Sequence, residues 1–110
     1  MQNDFMETHK AQLMPAAQAL LPELIALSDA LYERPELGYE EFFACEQHTA
    51  LLERHGFAVE RNCCDLPTAY SAVFDSGKPG LTVAFLAEYD ALPGIGHGCG
   101  HNLLGAASLG

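Results

Sequence analysis

Basic residues are scarce in this chain: five Lys and Arg stand against fifteen Asp and Glu, giving a formal net charge of −10 over 110 residues. With no basic patch to neutralise phosphates, a nucleic-acid partner is not expected, and an anionic membrane surface is disfavoured for the same reason. No apolar run approaches the roughly 18 residues that a membrane span requires. The opening Met1-Gln2-Asn3-Asp4 is not the basic-then-apolar start of a secretory leader. Repeats, low-complexity tracts and internal linkers are also missing. These absences lead to the expectation of a cytoplasmic protein in a reducing compartment, whose four cysteines do not form two disulfides. Apolar residues make up 49 %, enough for the core of one small domain and too much for a disordered tail.

Leu13, Ala17, Leu20, Leu21, Leu24, Ala30 and Leu31 recur at helical spacing, predicting a helix over residues 5–34 with a break or kink near Pro22 and an end at Pro35. A second amphipathic helix is predicted over residues 40–55. Phe42, Cys45, Thr49 and Leu52 form its buried stripe, Gly56 caps its C-terminus, and His48 and His55 fall on or near its solvent side. Glu40 and Glu41 point about 100° apart on a helix, so they read as charge at its N-terminus rather than as an acid/base pair. Beyond Phe57 the period shortens. Residues 57–60 read as a short strand, 69–74 alternate, and 81–87 are apolar on both faces, as in an interior strand. The turn formers of residues 75–80 join the last two as a hairpin. Cys63 and Cys64 are adjacent in a loop-like stretch where a vicinal bridge is strained, and they read as structural or incidental. Residues 103–110 read as a further helix. The fold class expected is α/β: two helices, then strands of a mixed sheet, then the start of another helix, with the active-site loop following the C-terminal edge of a buried strand.

Residues 94–102 read Gly-Ile-Gly-His-Gly-Cys-Gly-His-Asn. In an extended backbone, side chains two apart point the same way, so His97, Cys99 and His101 converge while the glycines let the loop bend closely around a ligand. Imidazole and thiolate favour zinc and its neighbours over magnesium or calcium. The competing reading is a glycine-rich turn with a buried Cys99 and two ordinary histidines. The acidic strand end just before the loop favours the metal. Glu88 and Asp90 lie where a buried strand meets the loop, and a carboxylate there is costly to desolvate unless a cation or donor meets it. The alternative for both is a solvated loop carboxylate, less so for Asp90, which is nearer the histidines.

Three segments, residues 31–41 (Leu-Tyr-Glu-Arg-Pro-Glu-Leu-Gly-Tyr-Glu-Glu), residues 87–93 (Ala-Glu-Tyr-Asp-Ala-Leu-Pro) and residues 96–102, occur in this order. Together they resemble the amidohydrolase branch of the dinuclear-metal aminoacylase and carboxypeptidase family, in its aminobenzoyl-glutamate hydrolase-like and dipeptidase-like forms. The resemblance runs from about Leu24 to Gly110. It implies that Cys99 and His101 are metal ligands and that Asp90 is the catalytic aspartate orienting the metal side of the site. Glu88 falls where more distant relatives carry a metal-binding histidine, and Asn102 stands where many members have aspartate. Glu88, His97 and Asn102 are therefore candidates for supporting contacts rather than ligands.

The same resemblance implies hydrolysis of an amide joining an acyl or aroyl group to an amino acid or small dipeptide. Two divalent ions per complete site are implied, zinc or manganese, with cobalt or nickel as further options, and a homodimeric complete protein acting on small molecules. Family members are several times longer, so residues 1–110 are expected to be the N-terminal portion of the catalytic domain, with further ligands, the general base and a lid or dimerisation domain lying beyond. On its own this portion is expected to show no turnover. Two other readings stand beside it: a thiol hydrolase with Cys99 activated by His97 or His101, and a truncated remnant without catalysis.

Overall fold

A computed structural model describes residues 2–110. The chain is mixed α/β, with the element order α1 (Gln2–Glu33), α2 (Phe42–Arg54), β1 (Ala58–Arg61), a short 3₁₀ turn (Cys63–Asp65), β2 (Tyr70–Val73) and α3 (His101–Leu109). Helix α1 begins earlier than its spacing predicts and is uninterrupted at both Pro15 and Pro22. Each proline removes only its own N–H, and the neighbouring i→i−4 bonds carry the helix past it. Buried positions in α1 are confined to Leu27, Ser28 and Leu31, so only its C-terminal part reaches the core. No helix among the described residues is long and apolar enough to cross a membrane.

Pro35 ends α1 as expected, and the next residue, Glu36, caps the start of α2. Glu41 at the N-cap of α2 makes no side-chain capping bond. Instead the Glu36 carboxylate accepts from the Phe43 and Ala44 backbone N–H groups at 3.0 and 2.7 Å. A carboxylate at a helix N-terminus satisfies orphan donors and meets the positive end of the dipole. At the other end Gly56 takes a φ of +86°, and the Phe57 N–H returns to the Leu52 carbonyl at 3.0 Å, the wrap-around cap foreseen for that glycine.

Two side-chain assignments on α2 are corrected. Phe42 is 60 % exposed, whereas His48, expected toward solvent, is fully buried at 0 %. His48 stands four residues after Ala44 and three before Leu51, on the same face as Cys45 and Leu52, all of them buried. Its polarity, not its helical phase, placed it outside. The core comprises Leu27, Leu31, Ala44, Cys45, Leu51, Tyr89 and Ala106, with Tyr70 and Leu109 packed against it.

The hairpin is also not the one predicted. Strands β1 and β2 pair antiparallel, Ala58 with Val73 through Arg61 with Tyr70, and form the two-stranded sheet. Residues 81–87 join no strand, and Leu81, Val83, Phe85 and Leu86 remain 97, 71, 76 and 84 % exposed. A segment apolar on both faces needs a strand on each edge and a layer on each side. Among the described residues nothing else supplies them.

Burial holds His48 neutral and lowers its pKa from 6.5 to about 4. The unfolded chain takes up this proton near pH 6.5 and the folded chain only near 4. Stability attached to this group is therefore complete above pH 6.5 and drains away as pH falls toward 4, by about 3 kcal/mol. Urea unfolding between pH 7 and 4 should show this slope in the parent chain and its loss in His48→Gln. An identical slope in the variant contradicts the assignment.

Candidate active site

The candidate site is built on residues 88–102. Alternation along the extended stretch separates Tyr89 from its two acidic neighbours, turning the tyrosine into the core while Glu88 and Asp90 face α3. Tyr89 is 9 % exposed, and its hydroxyl donates to the Thr68 carbonyl. Its ring stacks on Tyr70, with centroids 6.0 Å apart and planes within 7°, and lies 4.8 Å from the His48 ring. His48 Nδ1 in turn meets the Tyr70 hydroxyl at 3.0 Å. Burial pushes both phenols well above their ordinary pKa, so they act as neutral hydrogen-bonding groups.

Two further ties fix the strand end. The Ala91 N–H donates to the Glu36 carbonyl at 2.7 Å, within an isolated parallel bridge between Leu37 and Ala91. The connection between the two helices is thereby joined to the candidate site. The following turn closes from Leu92 N–H to the Gly96 carbonyl at 2.9 Å, using positive φ at Gly94 and Gly96. Such backbone is open to glycine without steric cost.

Helix α3 begins at His101, two residues before its predicted start, so the imidazole sits in the first turn. His101 Nδ1 lies 2.8 Å from Asp90 Oδ1 and 3.1 Å from the Asp90 carbonyl, and Nε2 lies 2.8 Å from Glu88 Oε2. Each ring nitrogen thus faces a carboxylate. Two residues flanking a buried tyrosine clamp one imidazole from both edges.

The remaining candidates lie in different surroundings. Residues 97–100 turn rather than extend, with the Gly100 N–H returning to the His97 carbonyl at 3.0 Å, so the period-two convergence of His97, Cys99 and His101 does not form. His97 is buried, and its Nδ1 has no partner among the described residues. Burial lowers its pKa and nearby His101 adds to the effect, against the opposing influence of Asp90 and the Leu31 backbone. Cys99 is an exposed free thiol, not a buried one. Asn102 donates through Nδ2 to Ser28 Oγ at 3.1 Å and to the Ser28 carbonyl at 3.3 Å, tying α3 to α1. No group of three or more His, Cys, Asp or Glu side chains is arranged to hold a metal ion among the described residues. A shallow depression of about 230 Å³, bordered by Gly38, Tyr39, Glu41, Thr68, Glu88 and Asp90, opens beside the carboxylate pair.

Sequence reasoning missed the supporting set of Thr68, Tyr70, His48 and Gly105. An aromatic alternating with two acids was the signal available for Tyr89 itself. Gly105 shows why α3 can approach so closely. A Cβ there would stand 2.6 Å from the Glu88 carbonyl oxygen and 2.8 Å from His48 Cε1.

No family model matches the chain. Among curated proteins, it is 40 % identical to a subunit of the p-aminobenzoyl-glutamate hydrolase of Escherichia coli, across 76 % of this chain and 20 % of that protein. It is 45 % identical to the Xaa-Arg dipeptidase of Homo sapiens, across 77 % of this chain and 23 % of the relative. Thermostable carboxypeptidase 2 of Saccharolobus solfataricus is 34 % identical, across 78 % and 26 %. The chain therefore spans about a fifth to a quarter of the length of these relatives.

The Gly105 packing makes a direct prediction. Alanine in an open helix interior is favoured over glycine by about 1 kcal/mol, but here the added methyl must displace Glu88 backbone or His48. Gly105→Ala should destabilise the chain by about 1–3 kcal/mol in denaturant titration. Equal or greater stability would show that α3 does not seat on Glu88 in this way.

Proposed function

Because this chain belongs to the aminoacylase and carboxypeptidase family, in its amidohydrolase branch, we propose that it is part of the catalytic domain of a metal-dependent amidohydrolase. The proposed reaction is hydrolysis of an amide joining an acyl or aroyl group to an amino acid or small dipeptide. The names of two relatives, p-aminobenzoyl-glutamate hydrolase and Xaa-Arg dipeptidase, support that substrate class. A cytoplasmic homodimer is proposed for the complete protein.

The observation that carries the reading is the double carboxylate clamp on His101. If Nδ1 donates its proton to Asp90, the other nitrogen of a neutral ring presents a lone pair to the Glu88 carboxylate. Two electron-rich groups at 2.8 Å need a positive charge between them, either a second ring proton or a cation. Imidazole nitrogen and carboxylate oxygen are donor types that divalent metals take, while no three side chains among the described residues are already arranged around one ion. A carboxylate behind one imidazole nitrogen is the arrangement that fixes the tautomer of a metal-binding histidine and raises its basicity.

In this proposal His101 contributes Nε2 and Cys99 its thiolate as ligands, Asp90 holds the Nδ1 proton, and Glu88 adds negative charge at the cation's edge. Asn102 secures the helix that carries His101. When bound, a divalent ion supplies Lewis acidity toward the scissile carbonyl and acidifies water. Zinc and manganese are the first candidates, with cobalt and nickel also compatible with mixed sulfur and nitrogen donors. The alternative of Cys99 as a nucleophile activated by His97 or His101 is disfavoured, since among the described residues the exposed Cys99 thiol hydrogen-bonds to neither ring.

Zinc affinity of the chain, measured by competition with a chromophoric chelator, tests the assignment. Asp90→Asn should weaken binding about 10–100-fold, and Cys99→Ala and His101→Ala should each weaken it further. Affinity unchanged across all three substitutions contradicts the proposed ligand set.

A further inference from the structure

The loop that closes the β1–β2 hairpin carries a second pair of chemically active groups, remote in sequence from the histidine loop. Cys63 and Cys64 are both free thiols, the first partly exposed and the second exposed, with sulfurs 3.8 Å apart. Their side chains are brought together by an unusual backbone. Asn62 and Cys64 share a φ of 56° and Asp65 has a φ of 60°, so three of four consecutive residues take the left-handed conformation. The loop base is closed by the ladder-like bond from Cys63 N–H to the Ala69 carbonyl at 3.2 Å and by the bond from Leu66 N–H to the Cys63 carbonyl at 3.1 Å. The sulfurs therefore sit on a hydrogen-bonded loop anchored at the ends of two paired strands.

The sulfur separation has a chemical meaning. At 3.8 Å the two sulfurs stand within reach of one shared centre, and a trivalent arsenic, whose S–As–S angle is close to a right angle, would draw them somewhat closer. A structural zinc site needs four donors, and no cluster of three or more suitable side chains lies among the described residues. The fitting occupant is thus a soft centre that needs only two protein sulfurs and brings the rest of its coordination with it. We propose that Cys63 and Cys64 form a bidentate dithiol site for a trivalent organoarsenical or an equivalent soft, thiol-seeking centre. The proposal is independent of the amidohydrolase reading.

The step is a condensation without redox change. Phenylarsonous acid loses both hydroxyls, each thiol loses its proton, two As–S bonds form and two waters leave, with arsenic trivalent throughout. The hydrogen bond shared with Cys64, with burial and nearby negative charge adding to it, raises the Cys63 pKa, so Cys63 enters as a thiol and supplies the proton that leaves with hydroxide. Neither Cys45, buried in the core, nor Cys99 belongs to such a pair.

Phenylarsine oxide added to the full 110-residue chain, followed by native mass spectrometry, tests this. One arsenical per chain should survive excess 2-mercaptoethanol and be released by 2,3-dimercaptopropanol, because only a chelating dithiol competes with a chelate. Cys63→Ser and Cys64→Ser should each lose the resistant adduct, and Cys99→Ser should keep it. Cys64→Gly provides the folding control, since glycine suits the left-handed backbone at that position better than cysteine, and it too should lose the adduct. An adduct stripped by the monothiol in the parent chain, retained in any variant of residue 63 or 64, or abolished by Cys99→Ser overturns the proposal.

Discussion

The candidate site depends on the burial of one side chain, Tyr89. An extended backbone sends alternate residues to opposite faces, so turning this ring into the core commits Glu88 and Asp90 to the other side together. The ring is held by its hydroxyl bond to Thr68, its stack on Tyr70 and its contact with His48. Residues from α2, from β2 and from the loop before β2 thus converge behind a strand end that joins neither β1 nor β2. Across that strand end, α3 presents His101 to both acids and Gly105 to the Glu88 carbonyl. The geometry is therefore set by packing on one face and used by charge on the other.

That arrangement also explains why polar groups are tolerated in so small a core. His48 is neutral; its Nδ1 meets the Tyr70 hydroxyl, while Nε2 lies beneath α3 at Gly105 with no partner among the described residues. Removing water around neutral aromatic and imidazole groups is far less costly than burying the carboxylates themselves. The charged members stay at the rim, where Glu88 and Asp90 retain part of their exposure. A cation at His101 would meet them there without crossing the core.

Much of this was legible from residue spacing. The 3.6-residue period placed α1 and α2, a helix was expected after the histidine loop, Gly56 marked the end of α2, Cys45 fell in the core, and the Glu-Tyr-Asp and Gly-Cys-Gly-His segments pointed to one neighbourhood. The errors share a physical cause: a local pattern cannot report what lies across from it. His48 had the phase of a core residue but the polarity of a surface one, and the partner that made its burial tolerable, Tyr70, is 22 residues away. Residues 81–87 have the composition of an interior strand, yet the neighbours that composition calls for are not among the described residues. By spacing alone, the glycines of the histidine loop permit an extended arc. Positive φ at Gly94, Gly96 and Gly100 instead accompanies turns, so His97, Cys99 and His101 do not line one extended face and His101 is positioned by a helix.

The central claim is that Asp90 holds the Nδ1 proton of His101 so that Nε2 is directed to a cation. Long-range nitrogen–proton NMR of the imidazole, recorded on the 110-residue chain at neutral pH before and after zinc addition, reads both nitrogens separately. Nδ1 is expected to keep its proton throughout while the Nε2 resonance moves to a metal-bound shift. Zinc binding through Nδ1, or a His101 ring that does not respond to zinc at all, would contradict the claim.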